Sequence, residues 1–287
     1  ITFLNNDLEI RYKKDRFSLT GKGKILLQEN NDEISYKLEK IKEDFKFGSL
    51  IKINDNPLNI DLLNYSKKGS VIIDFKGTKK NNELFLDLFS FKEKSNIFNI
   101  KDLKFNQKYQ IVRFGKIDLD YFDNDSQRNS ISFIKKNKRY MLKGSYFNAD
   151  NLIENIINNE SKNSSILNID SLLDVKIDKV RVDENNDLYD FNGNLVFKNR
   201  NIIKGNLEGF FTENEKVKLT INTNANNKIT TLFLDRAEPI VKRYEFIKGF
   251  EGGKLDYYSS SNKEGTSSTL KIYDFKLKEL PALTKIL

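Results

Sequence analysis

The 287-residue chain contains no histidine, no cysteine and no tryptophan, and it has one methionine and three prolines. Without His or Cys it cannot assemble a Ser-His-Asp or Cys-His nucleophile system, a His/Cys zinc centre, a disulfide or a histidine proton switch. The familiar hydrolase and metalloenzyme mechanisms built on those groups are excluded. A lack of cysteine fits an envelope or secreted location as easily as a cytosolic one, so it does not fix the compartment. No run of about eighteen apolar residues is present, so no segment reads as a membrane-spanning helix, and no signal peptide is recognisable. The first residue is Ile1 rather than Met. From this we expect a fragment of a longer protein, with any anchor or targeting segment upstream.

What is present favours sheet. Hydrophobic residues make up 38% of the chain, enough to bury a core, and they include 22 Phe and 12 Tyr beside many Ile and Leu, a set that suits half-buried strands. The formal charge of +8 comes from 49 basic and 41 acidic residues, scattered at strand positions rather than gathered into a stripe. A basic stripe interleaved with aromatics, or a known module signature, would mark a nucleic-acid binder, and neither is found. We expect no nucleic-acid partner and read the charges as a solvated outer face.

Alternation of apolar and polar residues recurs from end to end. Ile10–Tyr12, Phe17–Gly21, Ile34–Leu38, Phe45–Phe47, Val71–Phe75, Leu84–Phe89 and Ile111–Phe114 read as strands. Between them fall turn signals such as Asn30-Asn31-Asp32, Lys79-Lys80-Asn81-Asn82 and Asp123-Asn124-Asp125. In the second half Val175 and Ile177 share a face while Val180 and Val182 have the opposite parity, so a bulge or twist near Asp178-Lys179 is needed to keep both pairs inward. The same slip separates Leu270 and Ile272 from Tyr273, Phe275 and Leu277. Helical signals are few: 150–157 behind a capping Asp150, 237–247 with Pro239 in its first turn, 280–287, and a weaker candidate at 57–63. The stretch 158–165 is polar and reads as a loop. A unit of strand, Gly-marked turn, strand and short apolar helix recurs in the last third, with copies at 235–247 and 270–287.

Several tempting motifs have plainer readings. The acidic run 118–125, read as a calcium loop from Asp123, has Arg128 where the tight turn needs Gly and Ile134 where the bidentate Glu belongs. It reads as a polar turn, as does 183–187. Paired carboxylates could serve a glycosidase, but no spacing singles out an acid and a nucleophile. We expect a non-enzyme that needs no metal or cofactor. Gly21-Lys22-Gly23 and Gly249–Gly253 lack phosphate-loop spacing and read as turns. The apolar stripes fit two architectures equally well: a self-covered sandwich core, or a curved sheet whose apolar face is left open.

Residues 140–150 (Tyr-Met-Leu-Lys-Gly-Ser-Tyr-Phe-Asn-Ala-Asp), the helix to Ile157 and Leu172–Val180 resemble the AsmA-like proteins of the bacterial envelope, in particular their YhdP-type, TamB-like branch. So does the ending: Gly249–Tyr258, Leu270–Leu277, and Leu280-Pro281-Ala282-Leu283-Thr284-Lys285-Ile286-Leu287, a Gly-Gly-Leu-type strand followed by a Pro-Ala-Leu helix. The likeness covers about residues 140–287 and extends to the first half only in style.

The resemblance implies a mainly β fold: an elongated, twisted and curved antiparallel sheet forming an open groove, with short helices near 150–158, 237–247 and 280–287. The chain would comprise a β-rich segment over 1–139 and an AsmA-like segment over 140–287. By the same resemblance it would be tethered to the inner membrane through a segment outside this chain, lie in the periplasm, bind phospholipid acyl chains and meet envelope protein partners. Val175, Ile177, Leu195, Phe197, Leu207, Leu219, Ile221, Leu232, Leu234, Leu255, Leu270 and Ile272 would line the groove. The abundance of Phe and Tyr would make that groove narrow. The alternatives are a structural or assembly protein of the envelope with a closed β core that binds partner proteins and no lipid, and, third, a carbohydrate-active or carbohydrate-binding β domain.

Overall fold

The structure is a computed structural model that describes residues 1–158, 170–199, 201–224, 227–244 and 247–278. It is mainly β, with two short α-helices among the described residues, and it divides into two compact units, Ile1–Asn137 and Lys138–Leu287.

The first unit contains β1 (Thr2–Lys13), β2 (Arg16–Leu26), β3 (Asn31–Ile41), β4 (Asp44–Ile53), β5 (Asn59–Ile60), β6 (Tyr65–Ser66), β7 (Val71–Lys80), β8 (Glu83–Glu93), β9 (Asn96–Phe105), β10 (Ile111–Arg113), β11 (Lys116–Phe122) and β12 (Arg128–Lys136). β1 to β4 form a meander that continues through β7, β8 and β9 to β11 and β12. β10 adds to the end of β9, and among the described residues β5 and β6 pair only with each other. Turn chemistry matches this path: Asn81 and Asn82, with φ of 48° and 60°, make the tight link between β7 and β8 that a two-residue hairpin loop requires.

Directly paired residues share a face, so the register separates the two sides of the sheet. One row runs Ile34, Ile51, Ile73, Phe91, Phe98, Leu119, Ile131 from β3 to β12. On the opposite face Glu33 pairs with Lys52, and Asp120 with Ser130. This is the pattern of a sheet with one apolar and one solvated side.

The segment between β4 and β7 folds back onto the apolar side. Its Tyr65 is 2% exposed and packs with Ile53, Val71, Phe91, Phe98 and Tyr121, while Leu58, Ile60 and Leu63 close around the cluster. The stretch 57–63 is thus a docked loop with a 3-10 turn at Asp61–Leu63. Asp32 is fully buried: it accepts from Asn54 N (2.9 Å) and Asn56 Nδ2 (2.6 Å), fixing the start of the loop. Asp123 likewise accepts from Gln127 N (2.8 Å) and Asn129 Nδ2 (3.1 Å), so the acidic run there is spent on a turn.

The second unit contains β13 (Arg139–Asn148), α1 (Asp150–Asn158), β14 (Ser171–Asp183), β15 (Asn186–Lys198), β16 (Asn201–Thr212), β17 (Glu215–Asn224), β18 (Asn227–Leu234), α2 (Glu238–Arg243), β19 (Phe250–Ser261) and β20 (Thr266–Leu277). β14 to β20 form an antiparallel series, but β13 and β14 are parallel. The wholly antiparallel expectation is corrected here. A parallel pair needs a crossover, and the connection carrying α1 provides it. Neither unit's sheet closes into a barrel.

α2 is shorter than the expected 237–247, ending at Arg243 before the C-cap Tyr244, and Pro239 sits in its first turn. The expected helix at 280–287 and nearly all of the expected loop at 158–165 lie outside the described residues.

Candidate functional site

The site to examine is the apolar face of the second unit, because the sequence places all its candidate residues there. One row of paired residues crosses every strand from β13 to β20: Leu142, Val175, Gly193, Leu207, Leu219, Leu232, Tyr257, Leu270. Beside it runs Val217, Leu234, Leu255, Ile272, with Ile177 in phase on β14. On the other flank lie Tyr140, Leu173, Leu195, Gly205, Ile221, Thr230, Ser259 and Ser268, with Phe197 opposite Ser171. All twelve residues singled out from the sequence therefore share one face. Six inter-strand steps of about 4.8 Å separate β14 from β20, a width of about 30 Å.

The face stays continuous along the strands because the ladder slips where the alternation does. Asp178 and Asp190 are missing from the β14–β15 pairing, Asp190 has a φ of 51°, and β15 gains a residue on β16 between Tyr189 and Asn192. Val180 and Leu188, past the slip, are buried like Val175 and Ile177 before it. A second irregularity lies at Gly253 and Asp274, with φ of 73° and 56°. Beyond it Phe250 is buried and stacks on Phe275 at 5.0 Å. Phe275 and Leu277 remain exposed, so the slip in β20 brings no full burial.

Burial grades across the face. At one end Val180, Leu188, Phe211, Val217, Leu234, Phe250 and Leu255 are buried, beside α2, whose N-cap Ala237 and whose Val241 are fully buried. α2 is strung between strands: Ala237 N donates to Gly253 O (2.7 Å), and Arg243 Nη1 donates to Val182 O (2.6 Å) and pairs with Asp150 at the start of α1. Away from the helices Leu195, Phe197, Leu207, Leu219, Leu232 and Ile272 are half-buried, and Leu270 is 45% exposed. Leu195 lies across Gly205, where a Cβ would come within 2.7 Å of its Cδ2, so the glycine gap is filled from the next strand.

The opposite face carries Asp174, Lys176, Asn194, Lys204, Asn206, Glu208, Lys218, Asn222 and Lys271, with cross-strand ion pairs such as Lys216–Glu208 at 2.8 Å. Lys179 lies over the rings of Tyr146 and Tyr189 at 5.8 and 5.5 Å from their centroids, and its link to Asp187 holds its pKa above the usual lysine value.

A polar cleft of about 550 Å³ sits at the helix end, lined among others by Asp150, Glu154, Asp183, Glu184, Arg236, Glu238, Lys242 and Arg243. Three of its carboxylates, Asp150, Asp183 and Glu238, have hydrogen-bond or ion-pair partners. Burial opposes the charge of Glu238, yet Lys242 (2.5 Å), Gly252 N–H and Arg236 hold its pKa below normal. Asp150 is pushed the other way, upward: burial comes first, Arg243 opposes it, and Asp183, Glu154 and Glu184 add to it. Among the described residues no cluster of three or more acidic side chains is arranged to hold a metal ion, and no helix is long and apolar enough to cross a membrane.

The sequence reading missed part of the face. Tyr140, Leu142, Leu173 and Tyr257 belong to it by register, and the same period-2 signal could have found them. It also missed a hydroxyl-rich corner, where Ser268 Oγ donates to Ser259 Oγ at 3.1 Å and Tyr257 Oη lies 3.2 Å from Ser268 Oγ. The runs Ser259-Ser260-Ser261 and Thr266–Thr269 were its signal. Comparison with known proteins returned no match to any protein-family model, curated protein or solved structure, so the likeness of residues 140–287 to the AsmA-like envelope proteins rests on the residues quoted for it alone.

Proposed function

We propose that the chain is a lipid-handling segment of a periplasmic protein tethered to the inner membrane by a segment outside it, and that its apolar β-face guides phospholipid acyl chains toward the outer membrane. The observation that carries this reading is the continuous apolar row from Leu142 to Leu270, half-buried at its centre, with a charged face behind it. Such a face is costly to leave in water and fits a flexible apolar occupant. Acyl burial is worth about 0.8 kcal/mol per CH₂, so one chain contributes on the order of ten kcal/mol before ordering costs. No charged clamp is required for that. The hydroxyl corner at Ser259 and Ser268 adds polar groups at one margin, where a headgroup could rest.

The test is native mass spectrometry of the purified chain with extraction of bound lipid. Phospholipid should co-purify and be lost when Leu207 and Leu219 are changed together to Asp, with circular dichroism unchanged. Leu270→Asp, at an exposed position, should weaken binding with the least risk to folding. A folded, lipid-free protein that also refuses added phospholipid would overturn the reading and favour a structural role in which partner proteins cover the face.

A further inference from the structure

The strand β1 is an edge: among the described residues it pairs with β2 alone. Long exposed edges invite pairing with another strand, and proteins usually blunt them. This one is interrupted by a bulge only near its start. Asn5, with a φ of 47°, marks a register shift between Leu4 and Asp7, after which 7–13 is regular. Leu8, Ile10 and Tyr12 lie on the apolar face opposite Gly21, Leu19 and Phe17, yet they are 56%, 61% and 80% exposed. Asp7, Glu9, Arg11 and Lys13 occupy the other face, and Glu9 accepts from Arg11 along the strand at 2.7 Å.

Laid antiparallel on itself about Ile10, this tract is self-complementary. Ile10 meets Ile10 of a second copy once, on the axis, while Leu8 meets Tyr12, Glu9 meets Arg11 and Asp7 meets Lys13, each of these three contacts occurring twice. Moving the register by two residues sets Glu9 against Glu9 or Arg11 against Arg11, and moving it by one sets apolar side chains against charged ones. Only the Ile10-centred register joins the apolar faces and leaves every facing charge opposite in sign. We propose that β1 is an interface strand that pairs antiparallel with β1 of a second copy of this chain, forming an isologous dimer with its two-fold axis at Ile10. The arrangement joins the two first units through one sheet and covers the exposed Leu8, Ile10 and Tyr12. It stands independently of lipid binding.

Sedimentation velocity of the chain over a concentration series tests this. A dimer that dissociates on dilution and on addition of salt is expected, since facing charges contribute to it. Glu9→Arg places like charges opposite each other twice and should raise the dimer dissociation constant about tenfold or more. Combining it with Arg11→Glu reverses both signs and should restore the dimer, a recovery that general damage to the strand would not produce. Should Glu9→Arg disturb folding, Lys13→Asp applies the same repulsion against Asp7. A monomer at every concentration, a dimer indifferent to these reversals, or a double variant that stays dissociated would overturn the proposal.

Discussion

Each unit closes one end of its apolar face, and they do so with different chemistry. In the first, the loop between β4 and β7 inserts an aromatic ring: Tyr65 packs edge-on against Phe91, Phe98 and Tyr121 at 5.6, 5.1 and 6.0 Å between centroids. Its hydroxyl donates to the buried Glu93 at 2.5 Å, and Glu93 also accepts from Lys68 N, Gly69 N and Asn96 Nδ2. In the second, α1 and α2 stand at the end of the sheet, tied by Arg243 to Asp150 and to the Val182 carbonyl. Packing dominates one closure and partly solvated ion pairing helps the other. A ring surrounded by apolar side chains cannot be removed without leaving a cavity, whereas water can replace much of an ion pair at a cleft.

The largest test of this contrast is Tyr65→Ala. It should cost about 3–5 kcal/mol, as large-to-small aromatic truncations do, with hydrogen-exchange protection falling in β8, β9 and β11 and staying unchanged in β14 to β20. An equal loss in both units would break the comparison. Arg243→Ala should cost less, about 1–2 kcal/mol, because it removes charge-assisted hydrogen bonds at a half-buried site. The loss should appear in α1, α2 and the adjoining end of β14, again by hydrogen exchange.

The smallest effect is the most discriminating, because its sign differs between the units. Burial opposes the charge of Glu93, but bonds from Tyr65, Lys68, Gly69 and Asn96 outweigh it and lower its pKa from 4.5. Burial, then the bond to Glu93 and its charge, pushes the Tyr65 hydroxyl far upward, so it remains a donor. Stabilisation from Glu93 is complete above 4.5 and is lost as the pH falls through its lower folded value. Asp150 is raised above 3.8, so its contribution is present below 3.8 and is lost as the pH rises through its higher folded value. Acidification into this range should therefore loosen the Tyr65 loop while favouring the helix end of the second unit. Hydrogen exchange corrected for intrinsic rates would read both, and loosening at both ends would contradict the assigned signs.

Much of the sheet was legible in the residues. Alternation put Val175 in phase with Ile177, and Leu270 with Ile272, within their own strands, and the register joins Val175 and Leu270 in one row with Leu207, Leu219 and Leu232. The parity slips at Asp178 and Asp274 were visible as broken alternation and coincide with unpaired positions in the ladders. Asp150 marked the start of α1. What escaped has a common cause. The Asn30-Asn31-Asp32 stretch looked like a simple turn, but Asp32 is buried because Asn54 and Asn56, distant in sequence, supply its donors. Tyr65 and Glu93 drew no attention because neither has a local pattern; each matters through the other.

The sequence by itself determined that the chain is β-rich, one-faced, and without His or Cys chemistry, because strand period and side-chain chemistry are local properties. Tertiary structure decided that β13 and β14 run parallel, that Tyr65 rather than a second sheet fills the end of the first unit's apolar face, and that Leu8, Ile10 and Tyr12 end up on an unpaired edge. Pairing partners and long-range burial depend on which distant segments meet, and the period of a strand carries no record of its neighbour.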